Sequence, residues 1–222
     1  MQAPTLPMFR LAGLFYLVII VFGISSEVLL RGPILAAGDA EAVAASIAAA
    51  PGPLRLSIVA DAVMAMCDAA LAVLLFLILR PLGAGLALAA MVFRLMQGAV
   101  IAASLMFLLA ALRPDFAPAA RALIEMHGVG YDLGLAFFGV NSVLTGMLLC
   151  RLGGAARVIA AGIAMSGLVY LTGSALRLAD PALAAAFAPA YALPVLAESA
   201  FCLWLLFAGA GARRLLAPVP SA

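Results

Sequence analysis

GAGLALAAMVFRLMQGAVIAASLMFLLAAL, residues 83–112, is the stretch whose reading decides the fold. It holds thirty residues and a single charge, Arg94, near its middle. At about 1.5 Å of rise per residue, a helix of this length outreaches a hydrocarbon core of about 30 Å. Arg94 then lies near mid-bilayer. A cation there costs about 2.5 to 3.5 kcal/mol even on the lenient insertion scale, so it must face protein and pair with an acid. The other apolar stretches offer five acids: Glu27, Asp61, Asp68, Asp132 and Glu198.

Composition sets the class. Of the residues, 68% are hydrophobic and only 10% charged, and the mean hydropathy is +1.25, which excludes a soluble globular domain. A net charge of +2, with the arginines placed singly at helix ends, gives no basic face for nucleic acid. All twelve basic residues are Arg. Cys67, Cys150 and Cys202 have no ligand-like spacing and read as small core residues. No metal or other cofactor is called for by any motif. The first apolar run, after Arg10, is about 20 residues long, against about 7 to 15 for a signal core, so it reads as a retained span.

The expected fold is all-α, a polytopic integral membrane helix bundle. Its six spans run over about 11–30, 56–79, 83–112, 127–150, 158–176 and 191–212, with 213–222 a disordered tail. Short interfacial helices lie on one face: an Ala-rich segment capped by Asp39 and stopped at Pro51, a second over 114–126, and a third opened by Asp180-Pro181. Each hairpin then has an Arg, an Asp-led segment, a returning span with an acid, and a closing Arg, a loose pattern that suggests three internal repeats.

Within the spans, polar residues fall on faces. Glu27 and Arg31, four apart at a span end, read as an interfacial ion pair. Asp61 and Asp68, seven apart, share one face of the second span. Asp68 and Arg94 lie at matching depth and are expected to pair, with Gln97 one turn from Arg94 able to satisfy the fork or its acid. His127, Tyr131, Gly134, Phe138 and Asn141 line one face of the fourth span, with Asp132 beside it. Pro194 interrupts the sixth span ahead of Glu198.

Six spans place both termini on one side. Arg10, Arg80, Arg151, Arg157, Arg213 and Arg214 flank it, in short loops and tails, against Arg31, Arg55, Arg113, Arg121 and Arg177 on the other. That arrangement favours cytoplasmic termini. Asp61, His127, Asp132 and Glu198 then converge in the outer half on a polar cavity floored by Asp68 and Arg94.

Several motifs together carry a resemblance: Arg10-x-x-Gly13-x-x-Tyr16, Arg55 with Asp61 and Asp68, Leu79-Arg80-Pro81, Phe93-Arg94-Leu95, Asp132 with Phe137-Phe138-Gly139, Gly167-x-x-Tyr170, and Glu198 with Leu203-Trp204-Leu205-Leu206. The chain resembles a bacterial multi-pass membrane family catalogued as domain of unknown function 4386. Two departures are the absence of Lys and Ser46 in place of Asn in the first outer segment. The resemblance implies a bacterial inner-membrane protein and brings no activity.

Three functional classes stay open. A transporter or small-molecule- or ion-binding membrane protein would use Asp61, Asp68, Arg94, Gln97, His127, Tyr131, Asp132, Asn141 and Glu198 as its ligand set. A structural or partner-binding protein would use the same charges only to fix packing. An intramembrane enzyme is the weakest: one His serves Ser104, Ser142, Ser166 or Ser174 as base, and a metal would need His127, Asp132 and Glu198 to converge. The expected partners are the lipid bilayer and, on the first reading, a small-molecule or ion ligand.

Overall fold

In the computed structural model, which describes residues 4–208, the chain is helical throughout its ordered elements. Six helices are long and apolar enough to cross a membrane. Helix α1 spans Leu6–Leu35. The others are α2 (Ala40–Ala49), α3 (Gly52–Leu79), α4 (Ala84–Ala111), α5 (Ala120–Leu149), α6 (Ala155–Ala179), α7 (Pro181–Phe187) and α8 (Ala192–Leu203). The spanning helices α1, α3, α4, α5, α6 and α8 form a ring of sequential antiparallel neighbours, closed where α8 meets α1. We call the side with the N terminus the near face.

Two apolar layers sandwich a polar one. On the near face Phe9, Leu71, Leu75, Ile78, Leu79, Leu148, Leu149, Phe201 and Leu205 form one core. On the far face Ile34, Val43, Ile47, Leu54, Leu105, Leu108 and Ile124 form another. Val43 and Ile47 belong to α2, so this helix does not lie free along the membrane surface; it buries them against the bundle and caps its far end. The Asp39 carboxylate accepts from the Ala42 amide at 2.9 Å and starts it.

Three further readings need correction. The separate surface helix over 114–126 does not exist: a 3-10 turn over Pro114–Ala119 leads straight into α5, because Pro118 limits only the residues before it. Pro194 interrupts nothing, since it falls in the first turn of α8, where the missing N–H is least needed. Of the cysteines only Cys202 is buried, and Cys150 is exposed. Arg213, Arg214 and the tail 213–222 lie outside the described residues. The segment opened by Asp180-Pro181 is a short helix, with Asp180 accepting from the amides of Ala182 and Leu183.

The α5–α6 wall is sealed by backbone-to-backbone approach. A Cβ on Gly167 would stand 2.5 Å from the Gly139 carbonyl oxygen, and one on Gly139 would stand 2.8 Å from that of Gly167. Because backbone cannot rotate away, Gly167→Ala is expected to destabilise the protein by about 1 to 3 kcal/mol. A thermal midpoint in detergent equal to wild type would show that the two helices can part at no cost.

Candidate functional site

The polar layer begins with α3, whose face carrying Asp61 and Asp68 points wholly inward. Across from it, Arg94 of α4 is buried and donates from Nε to Asp68 Oδ1 at 2.6 Å. Its guanidinium also lies over the rings of Tyr16 at 5.1 Å and Phe138 at 4.9 Å. Desolvated contacts of this kind are worth about 2 kcal/mol each. Yet Arg94 Nη2 has no partner, and neither has Oε1 of the buried Gln97 one turn away. Buried polar atoms left without partners cost about 1 to 3 kcal/mol each.

Both residues border a cavity of about 440 Å³ at the centre of the ring, within the usual range of ligand pockets. All six spanning helices contribute to its wall. Ile19, Ile20 and Ile24 come from α1, Met64 from α3, Tyr131 and Phe138 from α5, Tyr170 from α6, and Val195 and Glu198 from α8. Glu198 is buried and accepts a short hydrogen bond from the Tyr170 hydroxyl. Tyr170 packs in turn on Phe138 at 5.3 Å and Tyr191 at 5.8 Å, which fixes the phenol in place. Two ion pairs stand at the far-face rim: Arg177 with Asp132 at 3.3 Å, and Arg31 with Glu27 at 2.6 Å.

The cavity is a cup. Beneath Arg94 a second void of about 10 Å³, bordered by Asn141 and Thr145, has room for no more than a water. Below it the near-face core is continuous. Here α1 closes tightly on the end of α8 and on the π-helical turn Trp204–Ala208 that continues it: Phe9 meets Trp204 at 6.1 Å, Tyr16 meets Phe201 at 5.7 Å, and a Cβ on Gly13 would overlap Leu206 at 2.6 Å. Farther along, the same two helices face each other across the cavity.

A second charged cluster meets the cup only through Glu27, at the rim. The last turns of α1, Ser25–Arg31, are wound as a π-helix just before Gly32-Pro33. Proline supplies no N–H to the carbonyl four residues back and crowds it, so the turn widens. That turn sends Arg31 into the protein. Arg31 Nη1 donates to Asp61 Oδ2 at 2.5 Å and to Ser26 Oγ at 2.6 Å, while Nε and Nη2 hold Glu27. Ser26 passes a hydrogen bond on to the Ser57 carbonyl. His127 Nε2 lies 3.6 Å from Asp61 Oδ2, and its Nδ1 lies 2.8 Å from Ser104 Oγ.

Asp61, His127 and Ser104 thus stand in the order of a nucleophilic triad, but a substrate has no approach. All three are buried, none borders the cup, and Ser104 bonds back to the Ile101 carbonyl with Gly130 packed against its Cβ. The geometry is that of a fastener between α1, α3, α4 and α5. Among the described residues no three His, Cys, Asp or Glu side chains are grouped to hold a metal.

The expected ligand set therefore divides. Arg94, Gln97, Tyr131, Asp132 and Glu198 line the cup. Asp68 sits behind Arg94; Asp61 and His127 belong to the Arg31 cluster; Asn141 donates to the Ala90 carbonyl at 2.7 Å and joins α5 to α4. The sequence places Arg31 only in an interfacial pair with Glu27, which forms, and Tyr16 and Tyr170 are not among the expected site residues. A tyrosine inside a span with an acid near the same depth, Tyr170 with Glu198, was the available signal for the last.

Six apolar spans around a buried charged layer define an integral multi-pass membrane protein. The chain belongs to the family described as Domain of unknown function (DUF4386), whose model matches residues 11–209. No curated protein and no solved structure matches it.

Proposed function

We propose that this is a small-molecule-binding membrane protein whose ligand sits in the cup. The observation that carries the reading is the pair of unpartnered atoms at the cup's floor, Arg94 Nη2 and Gln97 Oε1, beneath a cavity walled mainly by apolar and aromatic side chains, with Glu198 among them and Glu27, Asp132 and Arg177 at the rim. Both atoms are enclosed just behind the cavity surface, and a ligand with one acceptor and one donor relieves both once these side chains turn toward it. Transport of a small molecule or an ion would further need the near-face contact of Phe9, Trp204, Tyr16 and Phe201 to open. Charge placement supports an orientation: Arg10, Arg80, Arg151 and Arg157 lie in the short near-face loops and terminus, where the positive-inside rule is strongest, against Arg31, Arg55, Arg113, Arg121 and Arg177 on the far face. We accordingly propose cytoplasmic termini and a cup open outward, in the bacterial inner membrane that the family resemblance implies.

A second reading, in which buried charges serve packing alone, is favoured by the Arg31 cluster, whose Asp61, His127 and Ser104 are buried and do not border the cup. Glu198→Gln and Asp132→Asn separate the two. If the cup is a binding site, its carboxylates are kept at the expense of stability, and both variants unfold in detergent at or above the wild-type temperature. Val195→Trp, which fills the cup, abolishes the thermal shift given by any compound that stabilises wild type in a screen of small polar and amphiphilic molecules. Destabilisation of Glu198→Gln by more than about 3 kcal/mol would favour the packing reading instead.

A further inference from the structure

We propose that the cup takes an uncharged single-chain amphiphile, its head on Arg94 and Gln97 and its tail leaving between α1 and α8 into the bilayer. The proposal rests on the ligand-binding reading above and specifies the ligand.

The exit is set by side chains that belong to two surfaces at once. Ile24, Val28 and Val195 border the cavity, yet they are 45%, 59% and 48% exposed on the outside of the ring. The wall there is one side chain thick and mainly aliphatic, with the Glu27 carboxylate, held by Arg31, at its far-face end. In contrast, the α5–α6 wall is closed by carbonyl-to-glycine contact. A tail lying in the α1–α8 seam exchanges one hydrocarbon contact for another, so it neither gains nor loses much, and recognition falls to the head.

Charge and hydrogen-bonding capacity define that head. Nη2 of Arg94 asks for an acceptor and Oε1 of Gln97 for a donor, as a carbonyl and a hydroxyl on one small group would supply. The guanidinium charge is already met by Asp68 at 2.6 Å, and Glu198 adds a carboxyl to the same wall. An anionic head would find no surplus positive charge and would meet Glu198. A cationic head would have to lie beside the guanidinium. At the rim, Asp132 and Arg177 cancel. Only an uncharged head leaves these pairs undisturbed.

The test uses the delipidated full chain in a nonionic detergent with four probes: 1-monooleoylglycerol, oleyl sulfate, oleyltrimethylammonium and glycerol. The three long probes share a chain and differ in charge; glycerol has no chain. Monooleoylglycerol is expected to raise the thermal midpoint and to bind at least about tenfold more tightly than either charged probe. Loss of one head contact in Gln97→Leu should weaken it about 5- to 10-fold. Ile24→Trp and Val195→Trp, on opposite sides of the seam, should each do the same or more, so misfolding of one leaves the other as the test. Equal or tighter binding of a charged probe, or undiminished binding in both tryptophan variants, overturns the proposal. If glycerol or another tail-less polar compound binds while monooleoylglycerol does not, the amphiphile is wrong and the cup reading survives. If no compound binds, both fall.

Discussion

Arg94→Met is expected to lower the stability of the protein by about 3 to 5 kcal/mol, the effect of removing one partner of a buried ion pair. Three losses combine. Asp68, buried at 2% exposure, is left beside an apolar side chain with its carboxylate uncompensated. The faces of Tyr16 and Phe138 lose the cation between them. The floor of the cup loses the group that joins α3, α4, α1 and α5. The companion variant Arg94→Met/Asp68→Leu removes both charges and should recover most of the loss, because an apolar pair of similar volume needs no compensation. Thermal unfolding in detergent checks both. A double variant no more stable than the single one would mean that the aromatic contacts, not the ion pair, carry the energy. Outside the bundle the same chemistry matters little: the exposed pair of Arg113 with Asp115 should contribute no more than about 1 kcal/mol.

What could be read from the sequence was depth, and what could not was azimuth. Counting residues from the span ends places Arg94 and Asp68 at one level, and at that level an unpaired arginine is so unfavourable that a partner is almost dictated. The six spans follow from the same arithmetic, since apolar length is a direct measure of what can cross a bilayer. But Asp61, His127, Asp132 and Glu198, all at similar depth, point to three different places, and only the packing of α3, α5 and α8 decides which. Arg31 shows a different limit. Its spacing from Glu27 fits a surface pair, and the apolar run ends near Leu30. The helix nonetheless continues through Pro33 to Leu35, and its π-helical turn swings the arginine inward. A one-residue widening of a turn has no periodicity from which it could be read.

The division of the charges into two clusters also separates their roles. In the cup, polar atoms are left without partners around empty space. In the Arg31 cluster the guanidinium is almost wholly satisfied, and the two atoms left without partners, Asp61 Oδ1 and His127 Nε2, belong to residues that do not border the cup. The first arrangement costs stability and suits a ligand; the second ties four helices at the far face. Asp132 and Arg177 stand between the two cases, with Arg177 half-exposed and the pair open to solvent at the rim.

Arg31→Leu should therefore be at least as damaging as Arg94→Met, again by about 3 to 5 kcal/mol. Asp61, with no exposed surface, would lose its bond from Nη1, leaving only the His127 nitrogen at 3.6 Å, and its Oδ1 has no partner even in the intact protein. Ser26 would lose its donor and Glu27 would be freed at the rim. Asp61→Asn should cost less, because the amide oxygen can still accept from Arg31 while Glu27 balances the charge. Because Asp61 lies outside the cup, any compound that stabilises wild type should still shift the thermal midpoint of folded Asp61→Asn by a comparable amount. Loss of that shift in Asp61→Asn, with stability retained, would instead join the buried cluster to the binding site. Hydrogen exchange should place the damage of Arg31→Leu at the far end of α1 and at α2, where Ile34, Val43 and Ile47 depend on α1 holding its course past the proline.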